Sequence, residues 1–137
     1  MPHAPTASRL VFVYGTLRAG GSNDIRRFAP APVLVGKGTV NGVLYDLGPY
    51  PGCMLGGSGV VHGEIYAVES EVEAAMDRLE EVIDDDSGEY IRREVDVSGS
   101  DGPVRCLVYE IHPTRIVDRP VIDSGDWFER AAPDLKT

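Results

Sequence analysis

The chain is poor in positive charge. Thirteen Lys and Arg stand against 22 Asp and Glu, a net charge of −9. A general nucleic-acid surface needs the opposite sign, so no nucleic-acid partner is expected. Cysteine is scarce: Cys53 and Cys106 lie far apart with no CxxC or Cys/His spacing, which leaves neither a zinc site nor a disulfide framework to build on. Reduced thiols fit a cytoplasmic protein. No basic leader precedes an apolar stretch and no run of eighteen apolar residues occurs, so neither secretion nor a membrane is expected. The phosphate-binding spacings GxxxxGK[ST] and GxGxxG are missing, which argues against nucleotide cofactors. His3, His62 and His112 are scattered without partners at matching spacing and read as structural or surface residues. No cofactor and no metal is implied. Asp84-Asp85-Asp86 lacks the alternating pattern of a calcium loop and reads as a solvated acidic loop.

What is present is a strand-rich pattern in a chain of 137 residues. That length fits one domain, residues 1–137 with a core over about 9–128, and allows a real hydrophobic core without staples. Five segments alternate or are β-branched like strands: Leu10–Tyr14, Lys37–Leu47, Gly59–Val68, Tyr90–Val97 and Pro103–Ile111. Ser98–Gly102 is a turn cluster that predicts an antiparallel hairpin between the last two, and Asn41-Gly42 marks a turn or bulge. The spacing predicts a helix over Ser70–Ile83, opened by a capping box of Ser70 and Glu73 and striped by Val72, Ala75, Met76, Leu79, Val82 and Ile83. A weaker helix is expected around Asp24–Phe28, and the last dozen residues read as a surface tail.

Two features could carry chemistry. In VFVYGTLRAGG, residues 11–21, an apolar strand breaks at Gly15 and leaves backbone N–H groups free for an anion or a carbonyl oxygen. Such turns are also common for purely structural reasons. On the predicted helix, Glu80 falls roughly 80° from the apolar stripe and Glu81 roughly 180°. Glu81 therefore faces solvent, while Glu80 borders the buried face, where it serves as a functional acid or pairs with a surface cation such as Arg78. Arg93 is the odd residue on the apolar face of its strand, either covering the rim with its stem or meeting an acid.

Seven ordered pieces resemble the γ-glutamylcyclotransferase-like family, also called AIG2-like. They are Val13-Tyr-Gly-Thr-Leu-Arg18 with Gly20 and Asn23, Tyr50-Pro-Gly52, Gly63-Glu-Ile-Tyr-Ala-Val68, Met76-Asp-Arg-Leu-Glu80, Tyr90-Ile-Arg92 with Val95 and Val97, Val108-Tyr109, and Ile122-Asp-Ser-Gly-Asp-Trp127. The resemblance implies an α+β fold, a small mixed β-barrel-like sheet flanked by a few helices, with the YGTL turn facing one acid. Glu80 matches that acid; Glu81 stands where the family often has Gly, and its charge would act on Glu80.

The implied reaction turns a γ-glutamyl amide into 5-oxoproline and a free amine. The substrate's α-amine attacks its own γ-carbonyl, so no enzyme nucleophile is required. Glu80 would shuttle the protons, and the N–H groups of Gly15, Thr16 and Leu17 would hold the carboxylate or the developing oxyanion. Tyr14, Tyr50 and Tyr90 are candidate pocket walls, with core packing as the competing role. The partner is a small γ-glutamyl molecule, whose amine would be selected by residues 20–36 and 112–124; a homodimer is left open. The rival reading is a non-catalytic metabolite-binding or protein-interaction module using the same pocket.

Overall fold

The computed structural model describes residues 9–21, 24–48, 50–79, 90–100 and 102–129. Five strands and one helix follow in the order β1 (Arg9–Val13), β2 (Val33–Asp46), β3 (Pro51–Val68), α1 (Ser70–Leu79), β4 (Tyr90–Gly99) and β5 (Gly102–Ile111). The architecture is α+β. The strands run β1–β3–β2–β4–β5 across the sheet, and β5 returns to β1 through Val11↔Leu107, closing it.

This closure explains why β1 is apolar at every step after Arg9. Phe12 and Tyr14 join a core that draws Val40, Leu44, Ile65, Val97 and Val108 from the other four strands, which is the inside of the closed sheet. Val11 and Val13 point the other way, into a core with Val68, Leu107, Tyr109 and the helical residues Val72 and Met76. A strand buried on both faces loses the polar half of the period-two pattern. The same outer core holds α1, because a ten-residue helix is marginal alone and each fully buried apolar side chain contributes roughly 1.5–3 kcal/mol.

The two long strands extend further than their sequence pattern. β2 begins at Val33 rather than Lys37, and β3 at Pro51 rather than Gly59. Glycines read as a strand's end in sequence, yet here pairing with β2 carries β3 through them. At the Asn41-Gly42 position the register jumps, from Asn41↔Val60 to Gly42↔Leu55, so residues 56–59 bulge out of the ladder. Gly56 and Gly57 have φ of 101° and 82°, a region open to glycine and costly to other residues. The β4–β5 hairpin is tighter than the expected Ser98–Gly102 loop: Gly99 still pairs with Gly102.

The helix start also differs from expectation. Ser70 is its first helical residue and the Glu73 amide donates to the Glu69 carbonyl at 2.9 Å. The Glu73 carboxylate is held by Arg9 at 3.1 Å and by Arg92, rather than closing a capping box on Ser70. The weak Asp24–Phe28 signal corresponds to a 3-10 turn at Ile25–Arg27, with Asp24 accepting from the Arg26 amide at 2.9 Å. Glu80, Glu81, Val82, Ile83, Asp84–Asp86, His3 and the tail from residue 130 lie outside the described residues. Among the described residues no helix is long and apolar enough to cross a membrane.

Candidate active site

The turn that follows β1 is braced on several sides. Tyr14 is buried, its hydroxyl donating to the Tyr109 carbonyl at 2.6 Å and accepting from the Cys53 amide at 3.2 Å. Gly15 packs so closely on Pro51 that a Cβ at this position would lie 2.6 Å from the proline Cγ and 2.8 Å from Cδ. Leu17 is buried and its carbonyl accepts from the Ile25 amide at 2.8 Å.

Arg18 anchors the turn from below. Its Nε donates to Glu64 at 3.2 Å and its Nη1 to Asp126 at 2.7 Å, while the Phe128 ring covers its face with the centroid 4.3 Å from Cζ. Glu64 also accepts from the Ala19 amide at 2.9 Å and the Tyr66 hydroxyl at 3.0 Å. Burial, then the bond to negative Glu64, pushes the Tyr66 phenol up to about 12. A buried carboxylate of this kind is sustainable only because several donors converge on it.

These bonds sort the turn's amides. Those of Arg18, Ala19, Gly20 and Gly21 are engaged within the protein, by Gly15, Glu64, Asp24 and Arg18 respectively. Among the described residues, Gly15 and Leu17 have no acceptor for theirs. Unengaged N–H groups on a braced turn are available as donors to an anion.

Tyr90 reaches the same place from β4, its hydroxyl donating to the Pro51 carbonyl at 2.8 Å. Tyr50 is half-buried against the outer core that also contains Tyr90 and Leu17. The fold thus gathers Tyr14, Gly15, Leu17, Tyr50 and Tyr90 around the start of β3, with Thr16 in the same turn. Of the tyrosines, Tyr14 and Tyr90 are almost fully buried with hydroxyls bonded to backbone, so they shape this region by packing. Glu80 lies outside the described residues, next in the chain to Leu79, the last described residue of α1.

A second network ties α1 to the sheet. Asp77 accepts from the Tyr109 hydroxyl at 2.6 Å and from Arg92 at 2.5 Å, and Arg9 bridges Glu73 and Glu94. On β5, Glu110 accepts from Arg93 at 2.9 Å and the Leu55 amide at 2.8 Å, so the odd arginine of β4 meets an acid. Arg18, Glu64, Asp77 and Asp126 all stand in the pieces that carry the family resemblance, but their sequence context assigns them no role. The available signal was a lone charge inside an apolar stretch, as Glu64 is in VVHGEIYAV. No group of side chains suited to a metal ion occurs among the described residues.

The family described as gamma-glutamyl cyclotransferase, AIG2-like, matches residues 11–129. The chain belongs to this family. A Vibrio cholerae relative is 39% identical over 124 residues, spanning 88% of this chain and 96% of that protein. A Bos taurus gamma-glutamylaminecyclotransferase is 29% identical over 130 residues, spanning 85% of this chain and 74% of that one. In fold, the crystal structure of an AIG2-like protein from Mus musculus superposes with a TM-score of 0.67 at 26% identity, covering 82% of this chain and 84% of that chain.

Proposed function

We propose that this cyclotransferase-family protein releases 5-oxoproline and a free amine from a γ-glutamyl amine or γ-glutamyl amino acid. The α-amine nitrogen attacks the γ-carbonyl carbon, a C–N bond closes the five-membered ring, and the old amide C–N bond breaks to free the amine. Ring closure needs the substrate folded, one proton removed from its ammonium and one delivered to the leaving nitrogen.

The observation that carries the reading is the braced turn with the amides of Gly15 and Leu17 unengaged. A turn held by Tyr14, Pro51 and Arg18 suits an oxyanion that develops only in the transition state, because the donors need not reorganise. Glu80 is the general acid/base in this proposal, on the motif Met76-Asp-Arg-Leu-Glu80 and its border position on the helical wheel. Kinship with a gamma-glutamylaminecyclotransferase favours amines among the substrates.

The test is 5-oxoproline release from a panel of γ-glutamyl amines and γ-glutamyl amino acids, wild type against Glu80→Gln. The expected loss is about a hundredfold or more in kcat. Equal rates would remove Glu80 from the mechanism, and a folded wild type inert on the whole panel would overturn the activity.

A further inference from the structure

An opening lined by none of the residues gathered around Pro51 lies on the outer face where β3, β2 and β4 meet. It is a groove of about 360 Å³, lined among others by Arg18, Lys37, Thr39, His62, Ser98 and Asp126. Thr39 pairs with His62 across to β3 and with Ser98 across to β4, so these three side chains form one row on one face of the sheet. Lys37 stands two residues before Thr39 and shares that face. The turn after β1 and the loop at Asp126 wall the groove with Arg18 and Asp126, and the His62 amide donates to Gly125 at 2.8 Å, fixing that loop to β3.

The charge here departs from the rest of the chain. The protein carries −9 overall with His counted neutral, whereas on the same count the groove's lining sets the cations Arg18 and Lys37 against the single carboxylate of Asp126. Glu64, the cross-strand neighbour of Lys37, is already engaged by Arg18, the Ala19 amide and Tyr66. Among the described residues, Lys37 and His62 are exposed and carry no ion pair. Arg18 is only 8% exposed. Its Nε and Nη1 are bound to Glu64 and Asp126, while Nη2 has no partner among the described residues. A nearly buried guanidinium edge with hydrogens still to give, at the wall of a groove, is a built donor set.

We propose that this groove binds the phosphate group of a small phosphorylated molecule. Lys37 and the free edge of Arg18 supply charge, and the His62 ring and the hydroxyls of Thr39, Ser98 and Ser100 supply further donors. Donors placed on both the sheet face and a side wall suit a tetrahedral oxyanion better than a planar carboxylate. The volume exceeds that of a phosphate and leaves room for the remainder of a small molecule. The proposal does not rest on the cyclotransferase reading: of the groove's residues only Arg18 also braces the turn after β1, and the test leaves Arg18 unchanged.

The test is an amide-resolved NMR titration of the full chain with inorganic phosphate in an otherwise anion-poor, low-salt buffer, with succinate as the planar dianion. Saturable shifts are expected at Gly38, His62, Gly63, Ser98 and Gly99, with succinate at least roughly tenfold weaker. Lys37→Met should weaken phosphate roughly tenfold, the loss of one charged contact, and His62→Ala should weaken it severalfold, the loss of one neutral donor. Arg105→Met removes the same charge from a surface pair with Asp96 and should leave the affinity unchanged. Lys37 and His62 are both exposed, so each variant tests the site without disturbing the core. The proposal is overturned if phosphate gives no saturable shift, if all three variants weaken it equally, if succinate binds as well, or if the shifts centre on Gly15–Leu17.

Discussion

Arg18 and Glu64, 46 residues apart in sequence, form an ion pair with Nε 3.2 Å from Oε2, both side chains about nine-tenths buried. The pair ties the turn after β1 to the middle of β3. Replacing Arg18 by Met leaves Glu64 buried with its charge opposed only by neutral donors. The expected cost is about 3 kcal/mol, toward the lower end for breaking a buried pair because Ala19 and Tyr66 still donate. Urea denaturation of Arg18→Met against wild type measures it, and a change below about 0.5 kcal/mol would show that the pair contributes nothing to the fold.

Gly15→Ala tests the contact with Pro51. The added methyl would sit 2.6 Å from the proline Cγ, so turn or strand must shift. Overpacking of this kind costs about 1–3 kcal/mol. Since the shift moves the amides of Gly15 and Leu17, 5-oxoproline release should fall at least roughly tenfold, mostly in kcat. Wild-type turnover in a folded Gly15→Ala protein would separate the turn from the chemistry.

The Asp77–Tyr109 bond, at 2.6 Å, joins α1 to β5. A double-mutant cycle of Asp77→Asn and Tyr109→Phe should give a coupling of about 1–2 kcal/mol, as expected for a charge-assisted bond partly shielded from water. Arg92 can still donate to the amide oxygen that Asp77→Asn introduces, so each single change should leave the protein folded. Additive effects would mean that this bond contributes nothing to holding the helix on the sheet.

The two thiols predict an alkaline limb of stability. Burial, with negative Glu110 adding to it, raises Cys53 from 9.0 to about 12, and burial followed by Asp96 raises Cys106 to about 11. The folded state keeps both protons where the unfolded chain loses them. Stability is therefore full below about pH 9 and declines as pH rises from 9 toward 11 and 12. Native protein at pH 8 should react with iodoacetamide at least roughly a hundredfold more slowly than protein in guanidinium, because neither thiolate nor access is available. Rapid native labelling at either cysteine would contradict this burial.

Much of the fold was legible because its determinants are local. The run VFVY, the S-G-S-D-G turn cluster and the Val72/Met76 stripe each constrain their own segment through backbone geometry and side-chain period. The full length of β2 and β3 was hidden by the Gly56–Gly59 bulge, since a glycine run looks the same whether a strand ends there or continues on its partner. The capping box failed for a related reason: Glu73 had a choice between Ser70 and two arginines on other strands, and only proximity of β1 and β4 decides it.

By itself the sequence determined the family, the strand and helix content and the YGTL turn, because these rest on neighbours in the chain. Tertiary structure alone decided that Arg18 lies between Glu64 and Asp126, that Tyr14 and Tyr90 bond to the backbone of residues on other strands, and that Lys37, Thr39, His62 and Ser98 share one face. Each depends on register between strands distant in sequence, where a one-residue slip sends a side chain to the opposite face of the sheet.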